Sequence, residues 1–154
     1  MRDLELVGHE VEVQVKKRLG VNELEARVAE ARASGKRQFK LLRVQTQVSD
    51  MVAPIEAGAA FDKAQYYEHP QLYRPVFHER VAPYTSNLIN GMYWDRRFPR
   101  LLTNQQLRNL KSEVPIGLIG CADISADKEG SLEFLTHMTQ VDAPFYMYLS
   151  LIHI

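Results

Sequence analysis

The 154-residue sequence predicts an α/β fold built on a parallel sheet. Three observations carry the prediction. Candidate strands and helices alternate along the chain; two of the strands are apolar on both faces, as buried parallel strands are; and those two are joined by a helical stretch, as a crossover requires. The length suits about one domain, enough to bury a packed core.

The first element is "HEVEVQV", His9 to Val15, where Val11, Val13 and Val15 alternate with Glu12 and Gln14 at the period of a half-buried strand. "VNELEARVAEARAS" follows as an amphipathic helix, with Val21, Leu24, Val28 and Ala31 on one face, Asn22 as its N-cap and Gly35 as its stop. "FKLLRVQTQV", Phe39 to Val48, reads as a second strand, because Leu41, Leu42 and Val44 lead into residues of high β-propensity. The next stretch, Ser49 to Ser86, holds four of the seven prolines and reads as a loop-rich excursion, with "FDKAQYY" as its best helix. "SNLINGMYW" is then a central strand, "LTNQQLRNLKSE" a short helix capped by Thr103 or Asn104, and "IGLIGCAD" a last buried strand.

Charge and composition exclude several classes of function. Nineteen basic residues balance nineteen acidic ones, and Lys16-Lys17-Arg18 and Lys36-Arg37 are the densest basic stretches, so there is no footprint for nucleic acid or an anionic membrane. No apolar run reaches the length of a membrane span, and no basic leader with an apolar core opens the chain. Cys121 is the single cysteine and has no partner for a disulfide or a metal site.

Chemistry concentrates in "PIGLIGCADISADKEGSLEF", where a core strand runs into Asp123, Ser125, Asp127, Glu129 and Glu133. Asp123, Ser125 and Asp127 occupy positions one, three and five of a calcium loop, but Lys128 and Phe134 stand where that loop needs glycine and a bidentate glutamate. No metal is therefore expected. Two readings stay open: carboxylates at the carboxyl end of a parallel strand that serve a ligand, with Gly130 letting the backbone approach it, or a turn cap at Asp123 with Asp127, Glu129 and Glu133 facing water. His69, His78 and His137 show no metal or triad spacing, the serines lack a nucleophile elbow, and no G-x-G-x-x-G turn occurs. "WDRRFPR" sets Arg96, Arg97 and Arg100 beside Trp94, either to hold an anionic group or as a salt-bridged helix entry.

Taken together, "FDKAQYYEHPQLYRPVFHERVAPYTSNLINGMYWDRRFPRLLTNQQLRNL" and "PIGLIGCADISADKEGSLEF" resemble the lysine-ketoglutarate reductase region of the bifunctional alpha-aminoadipic semialdehyde synthases. The resemblance runs from about Ser49 to Tyr148 and is looser before Ser49. It implies a partial Rossmann-like parallel sheet related to alanine dehydrogenase, with residues 1–148 as the C-terminal part of a nicotinamide-dinucleotide-binding domain. The glycine-rich strand-turn-helix, the substrate domain and the saccharopine-cleaving half of that family are expected outside this sequence, so the isolated chain is not expected to turn over substrate. Residues 149–154, "LSLIHI", depart from the family's polar continuation and read as foreign to the fold.

The chemistry implied by the resemblance is condensation of L-lysine with 2-oxoglutarate and reduction to saccharopine by NADPH. NADH stays open as the reductant, since the residues that discriminate, Glu12 among them, fall in the divergent part. By the same resemblance Asn90, Gly91, Met92 and Tyr93 lie against the nicotinamide, Asp123 belongs to the substrate and cofactor cleft, and Asp127 is a catalytic group. The family also implies a mitochondrial setting. Two rivals remain: a non-catalytic α/β module that binds a nucleotide or regulates, and an inactive product of a misassembled reading frame.

Overall fold

A computed structural model of the chain describes residues 20–34, 44–113 and 118–148. The chain divides into two units, Met1–Gln47 and Val48–Ile154. The expected strand from His9 to Val15 lies outside the described residues, as do residues 39–43 of the expected second strand.

In the first unit, helix α1 spans Val21–Ser34. Its Val21 and Leu24 are buried, and Val28 and Ala31 are half-buried on the same face, as the spacing of the apolar residues predicts. The expected cap is displaced. Leu24 N–H donates to the Gly20 carbonyl at 3.0 Å, so the helix starts from Gly20 and Asn22 sits within the first turn. Glu23 and Arg27 pair at 3.1 Å across one turn, an exposed contact worth about 0.3–0.5 kcal/mol. Val44 makes a single β-bridge and residues 45–47 have no regular structure.

The second unit opens with helix α2, Val48–Met51, so Val48 starts a helix instead of ending a strand. Strand β1, Val52–Pro54, comes directly after it. Helix α3, Lys63–Glu68, a 3-10 turn at Pro70–Leu72 and strand β2, Tyr73–Pro75, complete the excursion's first half. The excursion is more ordered than its prolines suggest, because β1 and β2 pair antiparallel, Val52 opposite Pro75 and Pro54 opposite Tyr73. Both prolines stand at strand ends, where a missing N–H does least harm to a ladder. Asp62 caps α3, its Oδ1 accepting from Gln65 N–H at 2.8 Å.

Tyr66 and Tyr73 meet edge to face at 5.3 Å, and Phe61 and Phe98 pack on them beside Val52. The Tyr73 hydroxyl is satisfied there, donating to Gln65 Oε1 at 2.7 Å and accepting from Asp62 N–H at 3.2 Å. Tyr66 is 7% exposed, and burial, followed by the neighbouring Tyr67, pushes its phenol up to about 12.

Helix α4, Phe77–Arg80, and a 3-10 turn at Ala82–Tyr84 lead to the predicted strand–helix–strand unit. Its members are β3, Asn87–Asn90; α5, Asn104–Glu113; and β4, Gly120–Asp123. β3 and β4 are parallel, with Asn87 opposite Gly120 and Asn90 opposite Asp123. Helix α5 begins with a capping box: Gln106 N–H donates to Thr103 Oγ1 at 3.2 Å while Thr103 N–H donates to Gln106 Oε1 at 2.9 Å. Thr103 is therefore the cap of the two candidates.

Both strands are shorter than predicted. β3 stops at Asn90, where the chain turns and Met92 N–H points back to Asn90 Oδ1 at 3.4 Å. Among the described residues β3 pairs with β4 alone, and Ile89 is 73% exposed, unlike a residue of a strand covered on both faces. The architecture is thus mixed α/β, with one parallel and one antiparallel two-stranded sheet among the described residues.

Candidate functional site

The parallel register brings the carboxyl ends of β3 and β4 side by side, the place where open α/β sheets hold ligands. Ile124 N–H extends the ladder one step by donating to the Asn90 carbonyl at 2.7 Å. Asp123 is the last residue of β4. Its Oδ1 accepts from Ser125 N–H at 2.9 Å and from the Ser125 hydroxyl at 2.6 Å, while its Oδ2 is buried without a hydrogen-bond partner. One oxygen of Asp123 thus caps the turn, and the other has no partner within the protein.

A cleft of about 790 Å³ lies against β4. One wall carries Cys121, Asp123, Asp127 and Lys128; the other side is built from Phe134, Leu135, His137 to Thr139 and Pro144 to Tyr148. His137 stacks on Tyr146 at 3.8 Å in that second wall, and the Tyr146 hydroxyl, like Asp123 Oδ2, is buried and unpartnered. Such an acceptor and such a hydroxyl suit a ligand that brings hydrogen-bond donors, because a polar atom buried without a partner costs roughly 1–3 kcal/mol. Burial, and then the charge of Asp123, pushes the Cys121 thiol up to about 11, so it lines the cleft as a neutral group.

The loop from β4 to Gly130 is locally strained. Ala126 and Glu129 adopt left-handed backbone at φ 57° and 47°, which is unfavourable for residues with a Cβ. At Gly130 a Cβ would stand 2.6 Å from Asp127 Cβ, so the glycine lets the loop fold back on Asp127. Glu133 is not simply solvated, since its Oε2 accepts from Asn104 N–H at 2.7 Å at the start of α5.

Of the predicted cofactor contacts, none lines the cleft. Asn90 is 3% exposed and gives its amide to Ser131 Oγ at 3.0 Å; Gly91 and Tyr93 are exposed, and Met92 is half-buried. The structure thus joins Asp123 and Asp127 in one wall and holds Asn90 beside them through the ladder, with Gly91 to Tyr93 in the adjoining turn. The arginines divide. Arg97 forks onto Asp95 at 2.8 and 3.1 Å, and that hydrogen bonding holds the Asp95 carboxyl below the usual range. Arg100 binds the carbonyls of Glu129 and Gly130 and lies 4.8 Å over the Trp94 ring, a clamp between loops that is neither of the two expected arrangements, anion holding or helix entry. His69, His78 and His137 stay apart, and no metal-binding group of side chains occurs among the described residues.

Sequence reading missed Ser131, the His137–Tyr146 stack and the carbonyl partners of Arg100. Asn90 and Ser131 are 41 residues apart, and Arg100 is 29 and 30 residues from the carbonyls it binds; spacing carries no trace of such contacts.

No family model matches the chain. Individual proteins do. Alpha-aminoadipic semialdehyde synthase of Arabidopsis thaliana is 45% identical over 116 residues, 75% of this chain. The chain is homologous to a segment of the alpha-aminoadipic semialdehyde synthases. The mitochondrial alpha-aminoadipic semialdehyde synthases of Mus musculus and Bos taurus are each 41% identical over 106 residues, 60% of the chain. The matched stretch spans 11% of the length of each of these synthases. No described helix is long and apolar enough to cross a membrane.

Proposed function

We propose that the chain is part of the nicotinamide-binding, Rossmann-like domain of a lysine-ketoglutarate reductase, with residues 1–148 inside that domain and 149–154 outside its fold. The reaction is condensation of L-lysine with 2-oxoglutarate and reduction of the product to saccharopine, in the mitochondrial setting that the names of the mammalian relatives carry. The single observation behind this reading is Asp123 Oδ2: an acceptor buried and unpartnered at the carboxyl end of a parallel strand, on the wall of a cleft.

That oxygen fits a ribose hydroxyl or a substrate amine, both of which bring donors. The nicotinamide would supply the hydride, with NADPH preferred and NADH the comparator. Asp123 would orient the donor through Oδ2 while Ser125 keeps its other oxygen fixed. Asp127, in the same wall, would hold or move a proton at the amine nitrogen. Asn90 would act indirectly, since its amide is committed to Ser131; it shapes the turn that presents Gly91, Met92 and Tyr93 to the cofactor.

The test is a two-dimensional NMR titration of the 154-residue chain with NADPH, repeated with NADH and with Asp123→Asn. The expected result is saturable shifts at Asn90–Tyr93 and at Asp123–Asp127, weakened about tenfold in Asp123→Asn, which corresponds to one lost charge-assisted hydrogen bond. Signals from both loops that stay unmoved by millimolar NADPH and NADH would refute the proposal.

A further inference from the structure

Two loops meet at the end of the parallel pair, one after β3 and one after β4, and the Arg100 side chain bridges them. Arg100 sends its guanidinium to the carbonyls of Glu129 and Gly130, at the far end of the carboxylate loop. The same guanidinium lies 4.8 Å over Trp94, four residues past the end of β3. Trp94 is itself fixed, its indole N–H shared between the carbonyls of Phe98 and Pro99 at 3.1 and 3.2 Å. Beyond Arg100 the chain continues the contact, as Leu101 N–H donates to the Ser131 carbonyl at 2.8 Å. The loop being held needs such restraint, because Ala126 and Glu129 both sit in left-handed backbone that a free loop would abandon.

We propose that Arg100 is a positioning residue: its two-carbonyl clamp, braced on Trp94, sets the Asp127 carboxylate in place relative to the turn after β3. Both carbonyls accept from one terminal nitrogen, Nη1, while the guanidinium face rests on the indole; a lysine ammonium can donate to a carbonyl and keep its charge near the ring but lacks that planar face. The proposal rests on the reading that both loops face one cofactor. The clamp itself can be tested without any ligand.

Trp94 is the sole tryptophan and reports on the clamp. The experiment compares the intact chain with Arg100→Met and Arg100→Lys by Trp94 emission, amide hydrogen exchange and NADPH titration. In Arg100→Met, Trp94 emission changes, exchange at Asp127–Gly130 accelerates at least tenfold, exchange in α3 and β2 stays as in the parent, and the NADPH dissociation constant rises at least fivefold. Arg100→Lys keeps the Trp94 contact and recovers part of the loop protection. Unchanged exchange at Asp127–Gly130 in Arg100→Met overturns the clamp, as does a uniform rise across the chain in both variants. If the loop loosens and NADPH binds as tightly as in the parent, the positioning role is overturned while the nucleotide reading stands. If the parent itself binds no nucleotide, loosening confined to Asp127–Gly130 with recovery in Arg100→Lys upholds the clamp and counts against the nucleotide reading alone.

Discussion

Asn90 and Ser131 lie 41 residues apart and form a buried side-chain hydrogen bond of 3.0 Å, with Asn90 3% and Ser131 1% exposed. Replacing Asn90 by alanine removes that bond and leaves the Ser131 hydroxyl without its donor; Met92 N–H also loses the Asn90 Oδ1 it faces at 3.4 Å. Removing one partner of a buried hydrogen bond and leaving the other unsatisfied costs about 1–3 kcal/mol, so Asn90→Ala is expected to cost about 2 kcal/mol. Ser131→Ala strands the Asn90 amide and costs a similar amount. The double variant loses both partners at once, so the two costs overlap and the coupling is about 1–2 kcal/mol. With a urea slope of about 2 kcal/mol/M, each single variant lowers the unfolding midpoint by about 1 M, and the double variant falls well short of the sum. Costs that add within about 0.3 kcal/mol would show that the two side chains do not form the bond on which the β3 turn depends.

Two titrating groups give further expectations. The Cys121 thiol, raised from 9.0 to about 11 by burial and by Asp123, carries about 100-fold less thiolate at pH 8 than an ordinary thiol; an aromatic disulfide reagent should modify it about 100-fold more slowly in the folded chain than in urea, and equal rates would contradict the burial. Tyr66, raised to about 12, keeps its proton to higher pH when folded than when unfolded, so its contribution is fully present below pH 10 and is lost as the pH climbs toward 12. The two-unit difference corresponds to at most about 2.7 kcal/mol, and Tyr66→Phe should flatten the fall of the unfolding midpoint between pH 10 and 12; an unchanged slope would sink the assignment.

What could be read from the sequence was set by contacts within a few residues. The Asp62 cap of α3 and the Thr103–Gln106 box of α5 act over three residues, so residue order alone locates both helices. The apolar face of α1 follows from the helical period, although its cap fell on Gly20 because a backbone carbonyl can replace a side chain there. The β1–β2 pair escaped notice because its strands are three residues long and are joined through pairing of Val52 with Pro75, too distant and too short for an alternating pattern to register.

The candidate site divides in the same way. The sequence by itself determined that acids crowd the end of a strand, that their spacing fails a calcium loop, and that the long stretch around them resembles one enzyme family. Spacing alone could not separate the acids by their contacts, because those come from partners brought in by folding. Tertiary structure gave Asp123 one satisfied and one unpartnered oxygen, put Asp127 on the same cleft wall, and turned Glu133 to the start of α5. It also gave Asn90 a buried bond with Ser131, and gave Arg100 a place on the carbonyls of Glu129 and Gly130 that neither the anion-binding nor the helix-entry reading contained. The physical reason is the same in each case: a hydrogen bond acts over about 3 Å in space, whatever the distance along the chain.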